Sequence, residues 1–258
     1  MLSLKGIVKS FQGAYEPVLK GIDLELKEGD FCVVLGSNGS GKSTLLKMIS
    51  GEYQPDRGDI FVDGKGVTKR DRSPFVASVV QDVYKGTVSD LTLLENIVLS
   101  QLRSKKARLH SYHGFESRAK TMLSSLGIGL EERCLERMGG LSGGQRQMIA
   151  TLMAIQSKPK ILLLDEHTSA LDPKMQELIM AYTAKEISEQ KITSLMVTHR
   201  LDDALRYGNR LIMLHKGKIV LDLDAAQKQK ITLAELLNLF HQYEDLTLQG
   251  EKGEMQCQ

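Results

Sequence analysis

The 258-residue sequence has no apolar run approaching the ~18 consecutive residues that a membrane-spanning helix requires. Its strongest runs, FCVVLG, ILLLD and SLMVTH, have the length of strands, so a helical membrane span is excluded. Neither sign of charge dominates: Lys plus Arg number 34 against 32 Asp plus Glu, and a net charge of +2 gives no global electrostatic reason to expect nucleic acid. Cysteine is scarce. Cys32, Cys134 and Cys257 form an odd, scattered set that suits neither a disulfide framework nor a metal knuckle, and Cys32, inside an apolar run, reads as a small core residue. The opening MLSLKGIVKSF lacks the charged-then-apolar pattern and small-residue cleavage site of a secretory signal, so retention in the cytoplasm is expected. No internal repeat or low-complexity tract is present. What is there is an ordinary globular composition, 41% apolar and 26% charged, in a chain long enough for a sizeable core.

Hydrophobic periodicity divides the chain. SLKGIVKSF and IDLELKEGDFCVVLG read as strands, the second divided by a turn at Glu28, Gly29 and Asp30. After Gly36 the period changes: Thr44, Leu45, Leu46, Met48 and Ile49 fit a helical face that stops at Gly51. Short strands around Asp59 to Val62 and Ser78 to Val80 follow, and Leu91 to Ile155 turns mostly helical. Beyond Pro159 come ILLLD, the helical KMQELIMAYTAKEISEQ, TSLMVTH and the hairpin-like RLIMLHKGKIVLD. Strand, helix, strand is the order of a parallel sheet with crossover helices. An amphipathic helix, ITLAELLNLFHQYE, and a polar end expected to fray complete the chain.

Gly36-Ser37-Asn38-Gly39-Ser40-Gly41-Lys42-Ser43 matches G-x-x-x-x-G-K-[ST] between an apolar strand and a helix, the context that gives the motif meaning. Glycines let backbone N–H groups converge on phosphate oxygens, and the helix start adds positive potential. Lys42 is expected to reach the β and γ phosphates and Ser43 to ligate Mg2+. Ile161 to Leu164 end in Asp165 and Glu166, so two carboxylates emerge at the carboxyl end of a buried strand, the edge where ligands bind. Asp165 is expected to hold Mg2+ through water, and Glu166 to orient or deprotonate the water that attacks the γ phosphate. Leu141-Ser142-Gly143-Gly144-Gln145 opens another helical face, a second anion-binding helix start. Spacing does not say whether both devices meet one nucleotide within a subunit or across two. His199 follows TSLMVTH as Glu166 follows ILLLD, so neighbouring strands can deliver both to one edge.

With these motifs in this order, residues 2–222 resemble the ATP-binding cassette (ABC) ATPase family. The resemblance implies that Gly36 to Ser43 form the Walker A loop, with Thr44 also binding ATP, ILLLDE the Walker B strand with Glu166 as catalytic base, and Ser142 to Gln145 part of the family signature. It further implies Gln81 as a residue sensing Mg2+ and the partner, Ser169 to Asp172 as the D-loop, His199 as a γ-phosphate ligand, and Phe11 as the aromatic that stacks on adenine. Tyr15 is the nearby alternative for stacking, and a core role for Phe11 stays open. The implied fold is α/β: a P-loop core with an antiparallel β subdomain (1–81 and 160–222), a helical signature subdomain (82–159), and a C-terminal helix and tail (223–258).

The expected function is an ATP-hydrolysing transporter subunit with ATP and Mg2+ as cofactors, at the cytoplasmic face of the membrane. Its expected partners are a second copy around two nucleotides, separate permease subunits and an extracytoplasmic solute-binding protein, with no nucleic acid. DEHTSALDP and the C-terminal strings look like a bacterial subgroup of tryptophan- or tyrosine-type uptake ATPases. A non-transport relative acting on nucleic acid or ribosomes is the rival, disfavoured by the single motif set. His167 stands where the family most often has proline, and reads as a solvated loop residue. Thr68-Lys69-Arg70-Asp71 mimics a guanine-reading motif but does not follow a buried strand, so a charged surface loop is expected. Arg103, Lys105, Lys106 and Arg108 read as a solvated basic cluster, with anionic lipid or a membrane subunit as the alternative contact.

Overall fold

The computed structural model describes residues 1–13, 15–68, 75–102 and 114–254, with 244–254 described by their backbone alone. The chain opens with strands β1 (Leu2–Lys9), β2 (Leu19–Leu26) and β3 (Phe31–Leu35), then helix α1 (Lys42–Ser50). Strands β4 (Arg57–Val62), β5 (Lys65–Gly66) and β6 (Val76–Val80) lead to helices α2 (Leu93–Leu102), α3 (Phe115–Ser124) and α4 (Gly143–Gln156). The closing part runs β7 (Ile161–Asp165), α5 (Pro173–Gln190), β8 (Thr193–Val197), α6 (Leu201–Arg206), β9 (Arg210–His215), β10 (Lys218–Leu223), α7 (Ala225–Lys228) and α8 (Leu233–Glu254). The fold is α/β, as expected; the short α6 and α7 were not foreseen from periodicity.

Among the described residues two sheets form, one antiparallel in the order β2-β1-β4-β5 and one of six strands in the order β10-β9-β3-β8-β7-β6. Within the larger sheet β9, β3, β8, β7 and β6 are parallel, while β10 returns antiparallel to β9. β3 and β8 are buried along their whole length, and both faces of the sheet are covered. The pleat sends Val33, Leu35, Leu162, Leu164 and Met196 to a core shared with α2 to α5. Cys32, Val34, Ile161, Leu163 and Leu195 point the other way, onto α1 and the antiparallel sheet. Cys32 is thus the core residue its surroundings predicted.

The β9–β10 hairpin braces the glycine-rich loop. Its two-residue turn places Lys216 (φ 44°) and Gly217 (φ 78°) in the left-handed region, matching the twist of the flanking strands. Gly217 N–H donates to Ser40 O at 3.0 Å, and Lys20 N–H donates to Gly217 O at 2.9 Å. One turn residue therefore ties the loop to the antiparallel sheet. A Cβ at Gly217 would lie 2.3 Å from Val18 O. Gly217→Ala is expected to lower stability by roughly 2 kcal/mol or more, from strain and steric overlap together. At this chain length that is a fall of roughly 4–8 °C in Tm. A thermal melt indistinguishable from the parent would refute the bracing role.

Candidate functional site

Backbone register aligns the site before any side chain is considered. Val34 pairs with Val197, Val197 with Asp165, and Asp165 with Val80, so these four residues form one row across β3, β8, β7 and β6. Beyond that row, at one carboxyl edge, the chain delivers Gly36, His199, Glu166 and Gln81.

The loop after β3 can be glycine only where its geometry is tightest. At Gly36 a Cβ would sit 2.2 Å from Leu214 O, and at Gly41 (φ 106°) it would meet Leu19 Cδ2 at 2.8 Å. Gly41 caps α1 without any side-chain hydrogen bond, and no acidic residue occupies the first turn. The helix therefore presents unsatisfied N–H groups and its positive end toward the loop, an arrangement that attracts an anion. Ser37 is half-buried and Asn38 and Gly39 are exposed at the tip. Ser40 turns inward: its hydroxyl is buried with no partner among the described residues, and its N–H bonds Ser37 O at 3.2 Å. Lys42 is buried and donates from Nζ to Gly36 O and Ser37 O, each at 2.8 Å. Burial pushes its ammonium below the ordinary lysine range, while the Glu166 and Asp165 carboxylates pull it back up.

Ser43 Oγ approaches Asp165 Oδ1 at 3.4 Å. Burial raises the Asp165 carboxyl above its usual range, against the hydrogen bond from Ser43 and the charges of Lys47 and Lys42. A desolvated carboxylate beside a hydroxyl is a pair of hard oxygen donors that a small divalent cation would satisfy, so the residues present fit Mg2+. Gln81 is exposed, one residue beyond Val80, the strand partner of Asp165.

Glu166 has φ 48°, a left-handed conformation that is strained for a residue with a side chain and recurs at functional sites. Its N–H donates to Val197 O at 3.2 Å, and its carbonyl accepts from Ser169 N at 3.0 Å and Ser169 Oγ at 2.9 Å. His199 Nε2 lies 2.5 Å from Glu166 Oε1. The fold thus brings together the two edge residues that sequence order only suggested were neighbours. His167 departs from expectation. Far from solvated, it is 2% exposed, its Nε2 has no hydrogen-bond partner among the described residues, and burial pushes its pKa down to about 4. The turn at Glu166 folds the next residue inward, against a small cavity lined also by Gln176, Met180 and Met196.

At the LSGGQ segment, Ser142 caps α4. Its Oγ accepts from Gln145 N at 3.3 Å while Gln145 Oε1 accepts from Ser142 N at 3.2 Å, a reciprocal capping box. Gly143 faces open space, whereas a Cβ on Gly144 would lie 2.5 Å from Met175 Cγ on α5. The second glycine is therefore a packing requirement, which motif reading does not reveal. Asp172 caps α5 by accepting from Met175 N at 3.0 Å, with Pro173 at the first helical position. Phe11 is half-buried and meets Tyr53 edge-on, ring centroids 5.2 Å apart, while Tyr15 is fully exposed. Tyr53, just past the Gly51 stop of α1, was overlooked in the sequence, as were the buried Gln147 and Gln176. Their one sequence signal is a polar residue on an otherwise apolar helix face. Lys69, Arg70 and Asp71, the 103–108 basic cluster and Cys257 lie outside the described residues; Thr68 is exposed.

A bare helix start and a buried lysine can meet phosphate oxygens, and a carboxylate edge can meet the cation and water that accompany them, the mark of a P-loop nucleoside triphosphatase. The ABC transporter family profile matches residues 19–169. A tyrosine transport ATP-binding protein of Clostridioides difficile (strain R20291) is 39% identical over 251 residues, 93% of this chain and 98% of its own. The glutamine transport ATP-binding protein GlnQ of Escherichia coli (strain K12) is 35% identical over 227 residues, 86% of this chain and 90% of its own. Among solved structures, the dimeric post-hydrolysis state of the ATP-binding cassette MJ0796 bound to ADP and Pi matches with a TM-score of 0.75 and 30% identity. That match covers 87% of this chain and 99% of the other. The chain belongs to the ABC transporter family, and it is an ATP-binding ATPase.

His167 makes stability depend on acid. Its ring has an ordinary pKa of 6.5 when unfolded and about 4 when folded, so between those values the unfolded chain binds more protons. Stability is complete above pH 6.5 and declines as pH falls toward 4, by roughly 3 kcal/mol over the window. Urea titrations at pH 7 and pH 4.5 should show this loss in the parent and a smaller one in His167→Leu; equal losses would contradict the assignment.

Proposed function

We propose that this chain is the ATP-hydrolysing subunit of an importer for a small solute such as an amino acid. It works as a dimer on separate permease subunits at the cytoplasmic face of the membrane, supplied by an extracytoplasmic solute-binding protein and without nucleic acid. The observation that carries the reading is the single carboxyl edge holding Lys42, Ser43, Asp165, Glu166 and His199, with Ser43 and Asp165 in contact and Glu166 bonded to His199. The relatives that transport tyrosine and glutamine support the choice of solute class. Among the described residues no helix is long and apolar enough to cross a membrane, so in this reading other chains do the crossing.

In the proposed mechanism the N–H groups of Gly36 to Thr44 cradle the phosphates, and Lys42 exchanges its two carbonyl partners for β- and γ-phosphate oxygens. Mg2+ would be held by Ser43, Gln81 and Asp165 and would neutralise charge on those oxygens. Glu166 takes a proton from the attacking water as its oxygen bonds the γ phosphorus and the bond to ADP breaks. His199 orients Glu166 and donates to the γ phosphate. Phe11 stacks on adenine, with Tyr53 supporting its ring. Ser142, Gly143, Gly144 and Gln145 of a second copy close the nucleotide; the Ser142 hydroxyl accepts within its capping box and still has its proton to donate. Residues 82–159 then act as the helical subdomain, set against a core formed by 1–81 and 160–222, with 223–258 appended. A groove of about 520 Å3 lined by Val79 of β6 and by Val88, Leu99, Met153 and Ala154 is the proposed permease contact.

Lys42→Ala is expected to weaken ATP binding, and Glu166→Gln to preserve binding while slowing hydrolysis roughly 10²–10⁴-fold. Equal loss of ATP affinity in both would remove Glu166 from the chemistry. Glu166→Gln chains should also dimerise with MgATP and not with ADP, read by light scattering. Tagged protein drawn from solubilised native membranes should carry a polytopic permease; ribosomal proteins or RNA in its place would favour the rival.

A further inference from the structure

Gln147 on α4 is 1% exposed, and its side-chain amide makes two hydrogen bonds to backbone. Nε2 donates to Val80 O at 3.0 Å and to His167 O at 2.7 Å. The first carbonyl immediately precedes Gln81, and the second immediately follows Glu166. An amide nitrogen carries two protons, and both are engaged. The neighbouring Arg146 donates to Thr87 Oγ1 and Ser89 Oγ, each at 2.7 Å, and stacks over the Tyr84 ring at 4.7 Å. Two consecutive side chains of the LSGGQ helix thus hold the segment after β6 at both ends. Gln176 on α5 does the same for the next step of the chain. Its Nε2 donates to Thr168 O at 3.2 Å, and its Oε1 accepts from Arg200, which follows His199.

We infer that Gln147 is a positioning residue for hydrolysis, assisted by Gln176. It joins the LSGGQ helix, the strand end that presents Gln81 and the turn that presents Glu166 into one register. The carboxylate of Glu166 projects from a left-handed backbone that its own side chain does not favour, so its aim depends on what holds the neighbouring peptide. The Glu166 carbonyl is held by Ser169, the next carbonyl, of His167, by Gln147, and the one after that, of Thr168, by Gln176. Any motion of the LSGGQ helix, which is where the proposed second copy would press, is transmitted through one amide to the base and to the Gln81 strand end together. This inference rests on the reading of Glu166 as catalytic base.

Gln147→Met keeps the length of the side chain and removes both donors. Its kcat for ATP hydrolysis should fall at least tenfold while KM for ATP stays within twofold, because the Gly36 to Thr44 cradle is untouched. Hydrogen exchange supplies a readout independent of turnover: the amides of Glu166 and Ser169, bonded to Val197 O and Glu166 O, should lose protection at least tenfold. A parental kcat, or kcat and KM shifting in proportion, would overturn the inference. If Gln147→Met does not fold, Gln147→Asn, which withdraws the amide by one methylene, must show the same split. Glu166→Gln measured alongside separates the causes. Slow Glu166→Gln with parental Gln147→Met defeats only the positioning role, whereas a parental rate in Glu166→Gln defeats the base assignment and this inference with it.

Discussion

The hydrogen-bond register of the parallel sheet is the constraint on which the site depends. Adjacent strands β3, β8, β7 and β6 are locked with Val34, Val197, Asp165 and Val80 in one row. A slip of one residue in any of the three pairings would send that strand's apolar set to the wrong face and shift its loop by one residue along the edge. Core packing on both faces therefore guards the alignment of Lys42, His199, Glu166 and Gln81, although few of the guarding residues approach the site. The β9–β10 hairpin extends this logic sideways, since Gly217 holds Ser40 in the loop.

Within that frame the site is built from groups that are unfavourably placed on their own. Lys42 is desolvated, Asp165 is held above its usual range, and Glu166 takes a left-handed backbone conformation. The first two disadvantages are each matched to a ligand charge. A buried ammonium and a bare helix start both gain from a polyphosphate, and a desolvated carboxylate gains from a cation. The fold itself pairs His199 with Glu166. Buried glutamine amides suit the surrounding scaffold because they donate two hydrogen bonds without bringing a charge into a low-dielectric region.

Much of the candidate site was legible in the chain because its signals are local. Gly36 to Ser43 lie between a strand and a helix, so the loop, its helix start and Lys42 are specified within eight consecutive residues. ILLLD ending at Asp165 reads as a buried strand for the same reason. Expectations failed where one residue's surroundings come from distant segments. His167 reads as a loop residue in DEHTS, yet its cavity is lined from α5 and β8. Gly144 has a further role that its motif does not reveal, since Met175 on α5 leaves no space for a Cβ there.

Local propensity and periodicity, which act over a few residues, determined the order of strands and helices, the phosphate loop and the position of the carboxylates at a strand end. Only the tertiary structure decided that Glu166 would meet His199, that its backbone would turn left-handed, and that Gln147 would bind carbonyls 67 and 20 residues away in the chain. The physical reason is that hydrogen bonds and burial between remote segments depend on sheet register and helix packing, which no short window of sequence contains.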